Sequence, residues 1–344
     1  MAFEVLDGGL LTTVQDLGRA GYERIGVPVA GAMDSFALRA ANWLVGNPPG
    51  AAALEITLVG PRLRAAEKCL VAVTGADLGL RVNGWDLPPW MAFFVRQGGP
   101  IEFSGRKTGC RAVLAVAGGI DVAPVMASHS TCLSGGFGGF EGRALRRGDL
   151  VPMGSAGFHL PERAGRAFPR HLIPGYSDAP TIRVVLGPQD AYFTDEGIAT
   201  FLAGEYQVSP ASDRMGCRLV QQGERGGKLP ESTLTRGDFI SDGVPLGAVQ
   251  VPPDGQPIVM LADRQTTGGY PKIATVISAD IPLLAQCVPG QSSVRFEAVS
   301  VEEARASYRE MMDVWSFAPD IYGHTGVMAK VSRSMAYRSP HSVT

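Results

Sequence analysis

Short apolar runs punctuated by glycine dominate the chain. Leu70–Val73, Arg111–Ala117, Ile182–Leu186, Ile258–Ala262 and Ser293–Val299 read as strands. Several are apolar at consecutive positions (VLAVA, VVL, IVML) instead of alternating. That pattern predicts strands buried on both faces, in a closed or stacked sheet. Helical patterns are fewer. Asp34 caps a predicted helix whose apolar face is Phe36, Ala37, Ala40, Leu44 and Val45, with Gly46 as its stop. Thr194 caps a second, with Asp195 and Glu196 at its positive end and Gly204 beyond its last turn. Ser300 and Glu303 form a capping box for a third, which carries Ala304, Tyr308, Met311 and Trp315. Helices do not regularly separate neighbouring strands, so a doubly wound α/β sheet is disfavoured.

A polar, proline-containing, weakly periodic stretch spans residues 155–180. It divides the chain into residues 1–154 and 181–299, two β-rich halves, followed by a C-terminal helix and tail over 300–344. Leu114–Ile120 and Leu261–Tyr270 share a strand followed by a Gly-Gly pair, a faint sign of duplication.

Composition narrows the function classes. With 45% hydrophobic and 19% charged residues over 344 positions, the chain can bury a sizeable core and is not a disordered sequence. The net charge of −2 and the lack of a basic stripe argue against nucleic acid or an anionic membrane as a partner. The N-terminus shows no basic region followed by an apolar run, so no signal peptide is expected. The five cysteines are scattered and form no CxxC, which fits reduced thiols and a cytoplasmic location.

Several familiar chemistries are missing. The five histidines show no metal-ligand spacing, and neither a GxSxG elbow nor a GxxxxGK[ST] loop occurs, so no metal site is expected. Gly135–Gly142 (GGFGGFEG) reads as an aromatic-tipped surface loop, or as a cover over a site. Met328–Val331 (MAKV) lacks the paired methionines and hairpin of a carrier lysine, so no biotin is expected on this chain.

Four segments carry candidate chemistry. SDRMGCRL packs Asp213, Arg214 and Arg218 among apolar residues, as either a structural Asp–Arg pair or an anion site. In LADRQTTGGYPKI, an apolar strand ends in Asp263, Arg264, Gln265, Thr266 and Thr267. Gly268 and Gly269 then permit close backbone approach, before Tyr270, Pro271 and Lys272. Gln250 interrupts an apolar run and needs partners, either a ligand amide or the Pro252-Pro253 loop. Gln15, Asp16 and Arg19 sit among glycines, where a loop locked by hydrogen bonds is the simplest reading.

These segments together resemble the family of 5-oxoprolinase C subunits and allophanate hydrolase subunit 2, also described as biotin-dependent carboxyltransferase-like. The matching strings are TTVQDLGRAGYERIGVPVAGAMD, NWLVGN, LEITLVGPRL, VTGAD, AVAGGIDV, GPQD with FT, SDRMGCRL and LGAVQVPPDGQPIVMLADRQTTGGYPKIA. His129 in ASHST departs from the pattern, which more usually has Arg after Gly-Ser, and residues 308–344 show no family pattern. The resemblance implies a mainly β fold with a few helices, built as two cyclophilin-like β-barrel halves. It implies two partner proteins, a B-type one of similar cyclophilin-like fold and an A-type one that is the lactam hydrolase. It also implies a small amide or carboxylate substrate. The activity implied is ATP-dependent opening of 5-oxoproline to glutamate, with ATP and Mg2+ bound by this chain or by a partner. Two alternatives are a carboxyltransferase component of a biotin-dependent urea carboxylase, and a non-enzymatic module that binds and regulates the B-type partner. On that reading Arg214, Arg264, Lys272 and Tyr270 are the candidate catalytic residues. Asp213, Arg218, Gln250, Gln265, Thr266, Thr267, Gly268 and Gly269 are the candidate substrate contacts. The cations would stabilise developing negative charge and the amides and hydroxyls would read the substrate amide.

Overall fold

A computed structural model describes residues 1–156, 163–222 and 240–317. The strands of the N-terminal half are β1 (Ala2–Asp7), β2 (Leu11–Gln15), β3 (Ala53–Thr57), β4 (Arg62–Ala65), β5 (Cys69–Asp77), β6 (Leu80–Val82), β7 (Trp85–Asp86), β8 (Met91–Val95), β9 (Pro100–Phe103), β10 (Thr108–Val116) and β11 (Leu150–Pro152). They form a six-stranded sheet, β11-β1-β4-β9-β6-β7, and a five-stranded sheet, β2-β3-β10-β5-β8. One core lies between them, where Phe3, Val5, Leu63 and Ile101 of the first sheet meet Val14, Ile56, Val71 and Leu114 of the second. Helix α1 (Ser35–Val45) covers the other face of the five-stranded sheet and packs on Leu70, Ala72, Val113 and Ala115. That double cover explains the consecutive apolar residues of β5 and β10.

The C-terminal half contains β12 (Thr181–Leu186), β13 (Glu205–Val208), β14 (Gly216–Gln221), β15 (Asp242–Gly243), β16 (Ala248–Gln250), β17 (Ile258–Met260), β18 (Thr267–Gly268), β19 (Lys272–Val276) and β20 (Ser293–Ala298). Seven of them close a barrel in the order β12-β19-β16-β17-β14-β13-β20, with the parallel pair β20–β12 completing the ring. The short pair β15–β18 forms a separate ribbon. The expectation of two barrels is therefore corrected. Among the described residues only the C-terminal half closes, and the N-terminal half is two open sheets face to face.

The helix signals hold. The Asp34 side chain accepts from Ala37 N at 2.8 Å, and Gly46 ends α1 at φ +83°, a left-handed conformation that glycine adopts without strain. Thr194 caps α2 (Asp195–Ala203), although Gly204 is extended and not left-handed. The sequence pattern does not predict the short α3 (Ile281–Ala285), which carries Pro282 in its first turn. Helix α4 (Val301–Asp313) has the full capping box.

The segment expected to be a linker is packed where it is described. Phe168 is buried among Phe36, Trp43, Trp90 and Trp315, with ring centroids 5.6–6.0 Å away. Residues 157–162, the Met328–Val331 segment and the tail after residue 317 lie outside the described residues.

Candidate functional site: two cations on one ribbon

The polar run after Leu261 leaves the barrel at the end of β17 and returns at β19, with β18 paired to β15 on the way. This ribbon organises the candidate site. Arg264 is 7% exposed and lies against its Val244 end. Its Nε donates to Val244 O at 2.8 Å and its Nη1 to Leu261 O at 3.4 Å. Among the described residues no carboxylate lies within ion-pair distance, and Nη2 has no hydrogen-bond partner. Burial pulls the guanidinium below its ordinary pKa, opposed by the charge of Glu23.

Lys272 lies at the other end. It is 1% exposed, and its Nζ is 3.4 Å from Oδ2 of the exposed Asp242. The same carboxylate oxygen accepts from Gln189 Nε2 at 3.0 Å, while Gln189 Oε1 accepts from Lys272 N at 3.1 Å. The Gly243 N–H and the lysine hold the Asp242 carboxyl below the usual range. Asp242 and Val244 are two residues apart, so one short ribbon presents both cations.

The amide-reading groups lie between them. Gln250 is buried, donates to Tyr270 O at 3.2 Å and accepts from Gln265 Nε2 at 3.5 Å. A Cβ on Gly268 would sit 2.5 Å from Gln250 Nε2 and 3.0 Å from Val244 Cγ2, so a larger residue here would displace the Gln250 amide. Thr266 O accepts from Val244 N, and Thr267 pairs with Gly243. Gly269 and Tyr270 are exposed at the tip.

The other predicted residues lie elsewhere. Arg214 is fully engaged in a buried cluster. Its Nε and Nη2 clamp Asp263 at 3.0 and 2.9 Å, its Nη1 bonds Glu55, and Nη2 also donates to Gly31 O at 2.7 Å. This structural pairing is the first of the two alternatives that the sequence left open. It corrects the placement of Arg214 among the catalytic cations, because two carboxylates already neutralise its charge and four of its five N–H groups are bonded within the cluster. Asp213 is exposed and caps its own turn through Met215 N and Gly216 N, and Arg218 points out from β14. Sequence reasoning misses Gln189 and Asp242 as site residues. Gln189 is visible only inside the GPQD string, and nothing in the sequence marks Asp242.

The loop expectation for Gln15–Arg19 matches the geometry. Asp16 accepts from Ser128 Oγ at 2.7 Å, Ser130 Oγ at 2.5 Å, His129 N at 2.6 Å and Gly18 N at 2.7 Å. Within the glycine-rich loop, Phe137 lies 5.0 Å beneath the Arg19 guanidinium. Among the described residues no three His, Cys, Asp or Glu side chains are placed to hold a metal ion, and no helix is long and apolar enough to cross a membrane.

The pattern that defines the carboxyltransferase domain, subdomain A and B, matches residues 25–298. The C subunit of 5-oxoprolinase from Escherichia coli K12 is 40% identical over 307 residues, which cover 88% of this chain and 92% of that protein. The chain belongs to this carboxyltransferase-like family of 5-oxoprolinase C subunits. The family extends to much longer proteins. Urea amidolyase of Lachancea kluyveri is 34% identical over 88% of this chain but only 17% of its own length. The crystal structure of the Kluyveromyces lactis urea amidolyase superposes with a TM-score of 0.82 at 31% identity, covering 94% of this chain and 20% of that one.

Proposed function

We propose that the chain is the C subunit of an ATP-dependent 5-oxoprolinase, which opens the lactam to glutamate together with its partner proteins. The observation that carries this reading is the ribbon flanked by Arg264 and Lys272, with Gln250 and Gln265 between them. A lactam resists water because resonance stabilises its C–N bond. Phosphoryl transfer from ATP to the lactam oxygen activates the carbonyl carbon. ADP leaves in that transfer; one water then adds to the activated carbon, the C–N bond breaks with the nitrogen taking a proton, and a second water hydrolyses the resulting acyl phosphate to the carboxylate and inorganic phosphate. Every stage places negative charge on oxygen, and fixed cations in a desolvated setting stabilise such charge. Arg264, with Nη2 open, suits the developing oxyanion, and Lys272 suits the substrate carboxylate. Gln250 and Gln265 present the donors and acceptors that an amide requires. The end-to-end match with the Escherichia coli 5-oxoprolinase protein favours this reading over one taken from a multidomain protein.

The test is ATP- and 5-oxoproline-dependent glutamate release by the chain reconstituted with its partners. Arg264→Ala and Lys272→Ala are each expected to reduce turnover by about 100-fold or more, as loss of a transition-state donor does. Turnover unchanged in both variants removes the ribbon from the mechanism.

A carboxyltransferase role is the second reading, favoured by the urea amidolyase superposition. There the same cations would stabilise a ureate-like oxyanion. Transfer of labelled bicarbonate from a biotinylated carrier protein, without lactam hydrolysis, selects it.

A further inference from the structure

A cavity lies on the seam between the two halves and is lined by residues of both. Its volume is about 540 Å³, within the span of small-molecule sites. Most of its wall is apolar, including Leu11, Leu58, Leu133, Met215 and Pro289. Arg111, from the middle of the five-stranded sheet, also lines it and is 6% exposed.

Among the described residues the charge of Arg111 has no counter-ion. Its Nη1 donates to Ala285 O at 2.6 Å and touches Cys110 Sγ at 3.6 Å, and its Nε is buried with no hydrogen-bond partner. The buried acids nearby are already taken. Glu55 is bound by Arg214 and by Met33 N, Asp263 on the cavity wall is clamped by Arg214, and the exposed Asp213 on the same wall accepts from Met215 N and Gly216 N. A buried cation is unfavourable unless an anion or a full set of acceptors meets it, and a guanidinium fork fits a carboxylate by two parallel bonds. Arg214 and Arg143 show the contrast, since each meets carboxylates.

We propose that this cavity binds a small carboxylate with an apolar body, with Arg111 as the anion receptor and the leucine-rich wall around the body. The site is independent of the proposed lactam chemistry, whose cations lie on the ribbon.

Isothermal titration calorimetry of the full chain at low chloride, with hexanoate, hexanamide and inorganic phosphate, tests it. Hexanoate is expected to bind, with hexanamide and phosphate each at least tenfold weaker. Arg111→Gln is expected to weaken hexanoate at least tenfold. Ser134→Trp fills the mouth of the cavity from an exposed position, keeps Arg111 and is expected to do the same. This second variant decides the matter if Arg111→Gln does not fold. Arg264→Ala is expected to leave hexanoate binding unchanged. No hexanoate binding to the wild type, equal binding of the amide, or preference for phosphate overturns the proposal. So does binding that survives Ser134→Trp, or that is lost in Arg264→Ala.

Discussion

Arg214 and Arg264 lie fifty positions apart and illustrate how differently a buried guanidinium can be used. Arg214 is neutralised by Glu55 and Asp263, all three 4% exposed or less. Removing the arginine strands two carboxylates in a dry setting. Arg214→Met is therefore expected to lower the unfolding free energy by about 3–5 kcal/mol, measured in urea. Adding Glu55→Gln and Asp263→Asn to it is expected to recover most of that loss. A triple variant no more stable than the single one means the charges are not the reason. Asp149 offers a pH-dependent case. The Arg143 guanidinium, at 2.7 and 2.9 Å, and Arg146 N hold its carboxyl below the usual range. A depressed carboxylate stabilises the fold fully above its unfolded pKa of about 4 and loses that contribution as pH falls further. Asp149→Asn is thus expected to cost about 1–3 kcal/mol at pH 7 and progressively less as pH falls below about 4, read from unfolding curves across that range. The sequence displays both arginine environments poorly. Glu55 lies 159 positions from Arg214, so no local pattern links them. The sequence nominates Gln250, Gln265 and Gly268 but not their mutual contacts, since it offers Gln250 a ligand amide or the Pro252-Pro253 loop and the fold gives it Tyr270 O and Gln265 Nε2.

At the level of elements, end signals translate directly. Asp34, Thr194 and Ser300 each accept the backbone N–H that their residue type and spacing predict. Helix α4 has no fully buried residue and relies on Met311 and nearby Trp315 to touch the aromatic cluster, so its cap matters more than usual. Ser300→Ala is expected to lower stability by about 1 kcal/mol and to speed amide exchange in the first turn of α4. Unchanged exchange there separates the cap from the stability of the helix. The apolar runs mark β5, β10, β12, β17 and β20, but they do not show the shorter strands or sheet closure. β12 joins β19 on one side and the distant β20 on the other, and this parallel pairing alone turns a sheet into a ring. Nothing in the residues of β12 distinguishes it from β5, which stays in an open sheet.

For the molecule as a whole, the seam is the dominant feature. Gln286, just past α3, accepts from Cys110 N and Arg111 N and donates to Asp34 Oδ2 and Arg111 O, all at 2.8–3.0 Å. Tyr176 reaches the same Asp34 oxygen at 2.7 Å, and Ala30 N donates to Ala262 O at 3.1 Å. Met33, from the N-terminal half, lies in the core of the barrel. Calorimetry is therefore expected to show one unfolding transition, not two. Gln286→Leu, which takes this partner from Cys110 N, Arg111 N and Arg111 O and leaves the Asp34 oxygen to Tyr176, is expected to lower its midpoint by several degrees. Two resolved peaks in the wild type contradict this account of the seam.

The triad of Glu55, Arg214 and Asp263 has a consequence for protein engineering. One of its acids, Glu55, comes from the N-terminal half, while Arg214 and the other acid, Asp263, come from the C-terminal half, so the N-terminal half made by itself carries a buried carboxylate with no cation to answer it. A plasmid encoding that piece alone should give insoluble product, and its simultaneous synthesis with the C-terminal piece in one cell should yield a reassembled, folded pair.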